Sequence, residues 1–175
     1  HKRISLGIVS KIGKKPTTLI LGFILAVAFV SMWMSNTAAT VMMLPVALAI
    51  ATTLGDEAKG LRKAMVLCIP YAATIGGMAT VIGTTTNPTG IGLIQSTIGI
   101  DINFLDWLKI GLPFTVVLLP LMWIYMVKFF KVDKMPSVDI SVARQQYEAL
   151  GPMSKGEKYT AIIFLACCVL WVTRS

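Results

Sequence analysis

Two groups of neutral polar residues are the part of this 175-residue sequence best equipped for chemistry. The first is Ser31, Ser35, Asn36, Thr37 and Thr40; the second is Thr80, Gly83, Thr84, Thr85, Thr86 and Asn87. Ser31 and Ser35 are one helical turn apart and share a face. Uncharged hydroxyl, amide and carbonyl oxygens suit a hard monovalent cation such as Na+. Both groups sit near the middle of an apolar run, and a break there makes two half-helix ends. The C-terminal end offers carbonyl oxygens to a cation, and the N-terminal end offers N–H groups and positive dipole to an anion. Broken helices presenting both form the usual substrate and sodium sites of secondary transporters. A plainer reading competes at each position: Ser and Thr in membrane helices often bond their own backbone or join neighbouring helices. Gly76-Gly77 reads first as close helix packing. An Asn flanked by hydroxyls in an uncharged run, found twice in one short chain, favours a site.

The surroundings of these groups narrow the chemistry further. Residues 17–54, 64–100 and 110–127 contain no Asp, Glu, Lys, Arg or His. A proton-coupled carrier usually keeps an ionisable group in its membrane path. The one histidine is His1, so a His-based catalytic or metal site is absent. Cys68, Cys167 and Cys168 lie inside apolar runs and form no disulfide framework. A membrane enzyme is therefore poorly supported.

The elements that must position the groups follow from composition. Hydrophobic residues make up 55% and charged residues 14%, against ~25% charged in a soluble domain. Mean hydropathy is +0.76. A soluble enzyme, a nucleic-acid binder and a disordered tail are all poor fits, and the net charge of +8 reads first as topology. The ten methionines fill packing gaps, and the Trp residues suit membrane helices and their interfaces. The predicted fold is all-α and integral to the membrane. Residues 1–16 form a basic amphipathic helix suited to a membrane surface, with Ile4, Ile8, Val9 and Ile12 on one face. Residues 17–54 are flanked at both ends by basic residues, so both ends are expected inside. That run either crosses twice or enters and turns back, and the residues alone leave both open. Residues 62–98 are an apolar helix broken at Gly76-Gly77 and at 83–90; residues 104–130 are a transmembrane helix. Residues 131–157 form a polar cytoplasmic loop. A capping box at Ser154 and Glu157 opens a last span over 158–174. The sequence begins in a basic stretch without Met and stops after an apolar one, so it is read as a piece of a longer membrane protein.

The run Ser31-Met32-Trp33-Met34-Ser35-Asn36-Thr37-Ala38, continuing to Met42-Met43-Leu44-Pro45, resembles the first Ser-Asn-Thr hairpin of the divalent-anion:sodium symporters, the dicarboxylate, citrate and sulfate carriers. Ile75-Gly76-Gly77-Met78-Ala79-Thr80 with Gly83-Thr84-Thr85-Thr86-Asn87 resembles that family's broken fifth helix, and Phe104, Trp107, Gly111, Leu112 and Pro113 the start of its sixth. The resemblance runs through nearly the whole chain in order. It implies a re-entrant hairpin over 17–54 and an inverted repeat whose second half, with the second hairpin, is not in this chain. It implies Na+ held by Ser31, Ser35, Asn36 and Gly83 or its neighbour Thr84. It makes Asn36 and Thr37, with Thr84 and Thr85 of the break, candidates for contact with a substrate carboxylate. The family often has Pro immediately before the Asn of the break; here Thr86 holds that place and Pro88 follows.

The resulting expectation is sodium-coupled symport of small divalent anions such as C4-dicarboxylates, citrate or sulfate. No cofactor is expected beyond Na+ as coupling ion. The partners are the anion, the lipid bilayer, the second repeat and, by resemblance, a second copy of the protein, in a cytoplasmic (plasma) membrane; no nucleic acid is expected. This fragment alone is expected not to transport. Rival readings are a sodium-independent anion exchanger or another transporter of the wider ion-transporter group, a passive channel of re-entrant half-helices, and a membrane anchor.

Overall fold

The computed structural model describes residues 3, 7, 15–52, 54, 58–134, 145 and 147–173. Most of the expected interfacial helix over 1–16, and residues 135–144 and 146 of the expected polar loop, lie outside them. Among the described residues every regular element is helical: α1 (Pro16–Ser31), α2 (Asn36–Ala51), α3 (Lys59–Gly77), α4 (Thr86–Ile98), α5 (Phe104–Phe129), a 3-10 turn (Val132–Lys134) and α6 (Lys155–Thr173).

α1 starts on Pro16, which fits a first helical turn because it has no N–H to leave unpaired. It is apolar all round, and a helix with no polar stripe must be enclosed on most sides. It packs chiefly on α3 and also against α2 and α5. Leu19, Ile20, Phe23, Ile24 and Val27 are fully buried there, with Leu61, Met65 and Ile69 of α3 and Met43 and Ile50 of α2. Gly76 is where α1 and α3 touch: a methyl group built on it would lie 2.5 Å from Ala28 Cα and 2.8 Å from the Ala28 carbonyl carbon.

The turn over 32–35 joins α1 to α2, each 16 residues long. A regular helix of that length spans ~24 Å, short of the ~30 Å of a bilayer's hydrocarbon core. α5, at 26 residues, is the one helix among the described residues long and apolar enough by itself to cross. α5 runs antiparallel to α1 and α3. Near its start Trp107 bonds Met78 after the end of α3, and near its end Trp123 Nε1 donates to Thr17 O at 2.9 Å. The 3-10 turn then tucks Val132 against α1 and α3. The basic segments at Lys15, at Lys59, Arg62 and Lys63, and at Lys128, Lys131 and Lys134 thus gather at one end of the bundle. The hairpin turn and the end of α3 lie at the other.

α4 closes on Gly99, whose φ of 72° is a left-handed cap that glycine adopts without strain. α6 begins at Lys155, three residues before the expected start, on the Ser154–Glu157 capping box: Ser154 N donates to Glu157 Oε2 at 2.8 Å and Glu157 N to Ser154 Oγ at 3.2 Å. The Arg3 guanidinium pairs with Glu157 at 3.1 Å and bonds the carbonyls of Leu150, Gly151 and Pro152.

Candidate functional site

The hairpin turn and the interruption of α3–α4 meet at one point. Ser31, the last residue of α1, is fully buried. Its Oγ lies 2.9 Å from Asn36 Oδ1 and 2.8 Å from Ala73 O. A hydroxyl carries one hydrogen and can give it to one of these acceptors at a time. With its Oδ1 toward Ser31, as in this structure, the Asn36 amide adds a second neutral oxygen beside the hydroxyl, and the amide can instead turn its NH2 to Ser31 Oγ when no cation is bound.

Two glycines make room for the rest. A methyl group on Gly77 would strike Asn36 Oδ1 and lie 3.3 Å from Gly83 O. A methyl group on Gly83 would lie 2.5 Å from Gly77 O and 2.9 Å from Ser31 O. Neutral oxygens from the hairpin (Ser31, Asn36), the end of α3 (Ala73, Gly77) and the break (Gly83) therefore converge on a small volume. Among the described residues no group of three or more His, Cys, Asp or Glu is placed to hold a metal. The oxygen set suits a monovalent cation.

Three side-chain bonds lock this junction. Thr80, buried, donates its hydroxyl to Met32 O and ties the break to the hairpin turn. Asn87, 6% exposed, donates both amide hydrogens, to Gly77 O at 2.9 Å and Thr80 O at 2.7 Å. It thereby fastens the start of α4 to Gly77 O at the end of α3 and to Thr80 O, which also accepts from Gly83 N at 3.4 Å; buried carbonyls of this kind are costly to leave unpaired.

The residues singled out from sequence divide between two places. Ser31, Asn36 and Gly83 come together in the oxygen cluster. Ser35 is exposed, and its Oγ accepts from Ala38 N at 3.4 Å as the cap of α2. Thr37 and Thr85 are exposed and Thr84 is half-buried; they lie in the first turn of α2 and just before α4, outside the oxygen cluster. α4 has no side-chain cap, but Asn87 N donates to Thr84 O at 3.2 Å, Thr89 N donates to Thr85 O at 3.3 Å and Pro88 has no N–H, so this helix start brings its positive dipole end beside the cation cluster rather than a set of free donors. Missed from sequence were Ala73 and Gly77, which contribute through their backbone. A carbonyl has no residue type to read. The one signal was the Gly76-Gly77 pair, and only its first member acts as the packing glycine that the pair suggested.

Helices interrupted around neutral oxygens, with half-helix ends turned to one spot, are the mark of a secondary transporter. The chain belongs to the sodium:sulfate symporter family: the family model for the sodium:sulfate symporter transmembrane region matches residues 1–175. This is a family of integral membrane transporters, not enzymes. The chain is 38% identical over 185 aligned positions to the sodium-dependent dicarboxylate transporter SdcS of Staphylococcus saprophyticus. It is 36% identical to the protein of the same name from Staphylococcus aureus. In each case the match covers 99% of this chain and 36% of the relative, so the chain spans little more than a third of the length of these relatives.

Proposed function

We propose that the complete transporter couples Na+ to the uptake of small divalent anions, C4-dicarboxylates first among them, and that this chain supplies one Na+ site and half of the anion site. The observation that carries the reading is the convergence of Ser31, Asn36, Ala73, Gly77 and Gly83 oxygens at a helix break, in apolar runs without an ionisable side chain. The names of the relatives support the choice of sodium and dicarboxylate.

In this mechanism Na+ binds first, with the Ser31 hydroxyl hydrogen turned away and its Oγ lone pair facing the ion. Its charge, with the N-termini of α2 and α4, then draws a carboxylate toward Asn36, Thr37, Thr84 and Thr85. Ser35, placed as a helix cap, acts by holding the first turn of α2. The short α1–α2 pair enters from the basic side and turns back at Ser35-Asn36, its irregular backbone sheltered by α3 and α5 as membrane interiors require. A second, inverted repeat completes the anion pocket, and two copies assemble in the cytoplasmic membrane. Residues 1–175 alone do not transport.

The test is uptake of labelled succinate and sulfate by the full-length protein in proteoliposomes, with an inward Na+ gradient against K+ or choline, beside Asn36→Ala. Sodium-dependent uptake that Asn36→Ala abolishes in a folded protein is the expected result. Uptake indifferent to sodium, or driven by counterflow of a second anion, replaces the symporter with a channel or an exchanger.

A further inference from the structure

Trp107, Gly111 and Thr115 of α5 are spaced four residues apart and share one face. That face meets the carbonyl end of α3. Trp107 Nε1 donates to Met78 O at 3.0 Å, and the fully buried Thr115 donates its hydroxyl to Ile75 O at 3.1 Å. Between them, a methyl group on Gly111 would lie 2.5 Å from Met78 O and 2.9 Å from Ala79 O. Glycine lets the backbones close until both donors reach.

The carbonyls at the end of α3 are thereby sorted. Ile75 lies about 200° round the helix from Ala73, since each residue turns the helix by about 100°. Ala73 O meets Ser31 of the hairpin and Gly77 O faces Gly83 and Asn87 of the break; Ile75 O and Met78 O receive donors from α5. Ile75 O also accepts from Met78 N at 3.3 Å, so in this clasp Thr115 adds a second donor to a carbonyl of the last turn, and Trp107 fixes Met78 O just beyond it.

We propose that Trp107 and Thr115 are positioning residues for the cation site: by holding Ile75 O and Met78 O from behind, α5 sets the direction of Gly77 O and the segment after it, and so the size of the oxygen cage. The inference rests on the cation-site reading above. Li+, Na+ and K+ carry equal charge and differ in radius, so a cage held from behind selects by size and a loosened one selects poorly.

The experiment measures succinate uptake by the full-length protein in proteoliposomes against Na+ concentration, and again with Li+ in place of Na+. Thr115→Val keeps the shape and removes the donor. Its half-saturating Na+ is expected to rise about tenfold, as for loss of one hydrogen bond at a fixed site. The preference for Na+ over Li+ narrows, the rate at saturating Na+ stays within about twofold, and Thr115→Ser restores both quantities. Trp107→Phe, which keeps a ring in place, behaves as Thr115→Val does and serves if that variant fails to fold. Parent-like Na+ saturation and Na+/Li+ preference in both donor-deleted variants overturns the inference, as does loss of maximal rate alone. Asn36→Ala run in parallel separates the two readings. If it leaves sodium dependence intact, the site itself is misplaced; if it abolishes uptake while both α5 variants are silent, only the clasp is wrong.

Discussion

The two halves of the broken helix have opposite surroundings. α3 is enclosed by α1, α2 and α5, with Leu61, Met65, Cys68, Ile69, Ala73, Gly76 and Gly77 among its buried residues. α4 buries Asn87 alone and packs against no other helix among the described residues. A cation cage needs oxygens held at fixed spacing, and α3 has the core to hold them. The threonines before and in the first turn of α4 stand on a helix whose tie to the core, among the described residues, is one asparagine. On the proposed reading the cation half of the site is assembled by this chain's own core, whereas the anion half waits for surface from the second repeat.

The sharpest way to break this contrast is to put the same substitution on both sides. Gly83→Ala or Gly77→Ala forces a methyl group into the oxygen cluster, a clash of backbone and carbonyl atoms that costs about 1–3 kcal/mol as overpacking does. Half-saturating Na+ in the full-length transporter should rise more than about tenfold for each, since about 1.4 kcal/mol is a factor of ten. Gly92→Ala on α4 meets nothing within 4 Å, and alanine favours a helix by about 1 kcal/mol over glycine. It should leave Na+ affinity unchanged and thermal stability unchanged or raised. An equal loss of Na+ affinity from both sides would erase the distinction.

Asn87→Ala tests the joint between the halves and should have an intermediate effect. It leaves Gly77 O without its side-chain donor and Thr80 O with only Gly83 N at 3.4 Å, at about 1–3 kcal/mol for a buried acceptor left unpaired. Because α4 is held by little else, half-saturating succinate should weaken as well as half-saturating Na+. A change in Na+ alone would show that α4 keeps its place without the asparagine.

The smallest expected effect is that of pH. The oxygen cluster contains no titratable side chain. Na+ binding to the full-length protein, followed by isothermal calorimetry without substrate, should vary less than about twofold between about pH 6 and pH 8, the range where a histidine would titrate. A steep dependence would bring an ionisable group from elsewhere into the site.

Much of this was legible in the residues themselves. Uncharged runs, basic flanks and breakers marked the helices, because a bilayer imposes length and polarity on each segment separately. Ser154 and Glu157 marked the start of α6 because a capping box is a local hydrogen-bond exchange. Ser31 and Asn36 stood out because polar groups are rare in apolar helices, and Gly83 was drawn in by the family resemblance. By itself, then, the sequence determined the helical membrane class, the two polar groups and the family resemblance. Tertiary structure alone decided which oxygens meet. It turned Ser35 outward as a cap, separated Gly76 as a packing residue from Gly77 in the oxygen cluster, and brought in Ala73 through a carbonyl that every residue type possesses. It also set α5 behind the break, through bonds from Trp107 and Thr115 to carbonyls more than 25 residues distant in the chain. The physical reason is that backbone oxygens are identical in every residue. Only the packing of α1, α3 and α5 against one another determines which of them are left to face a common point.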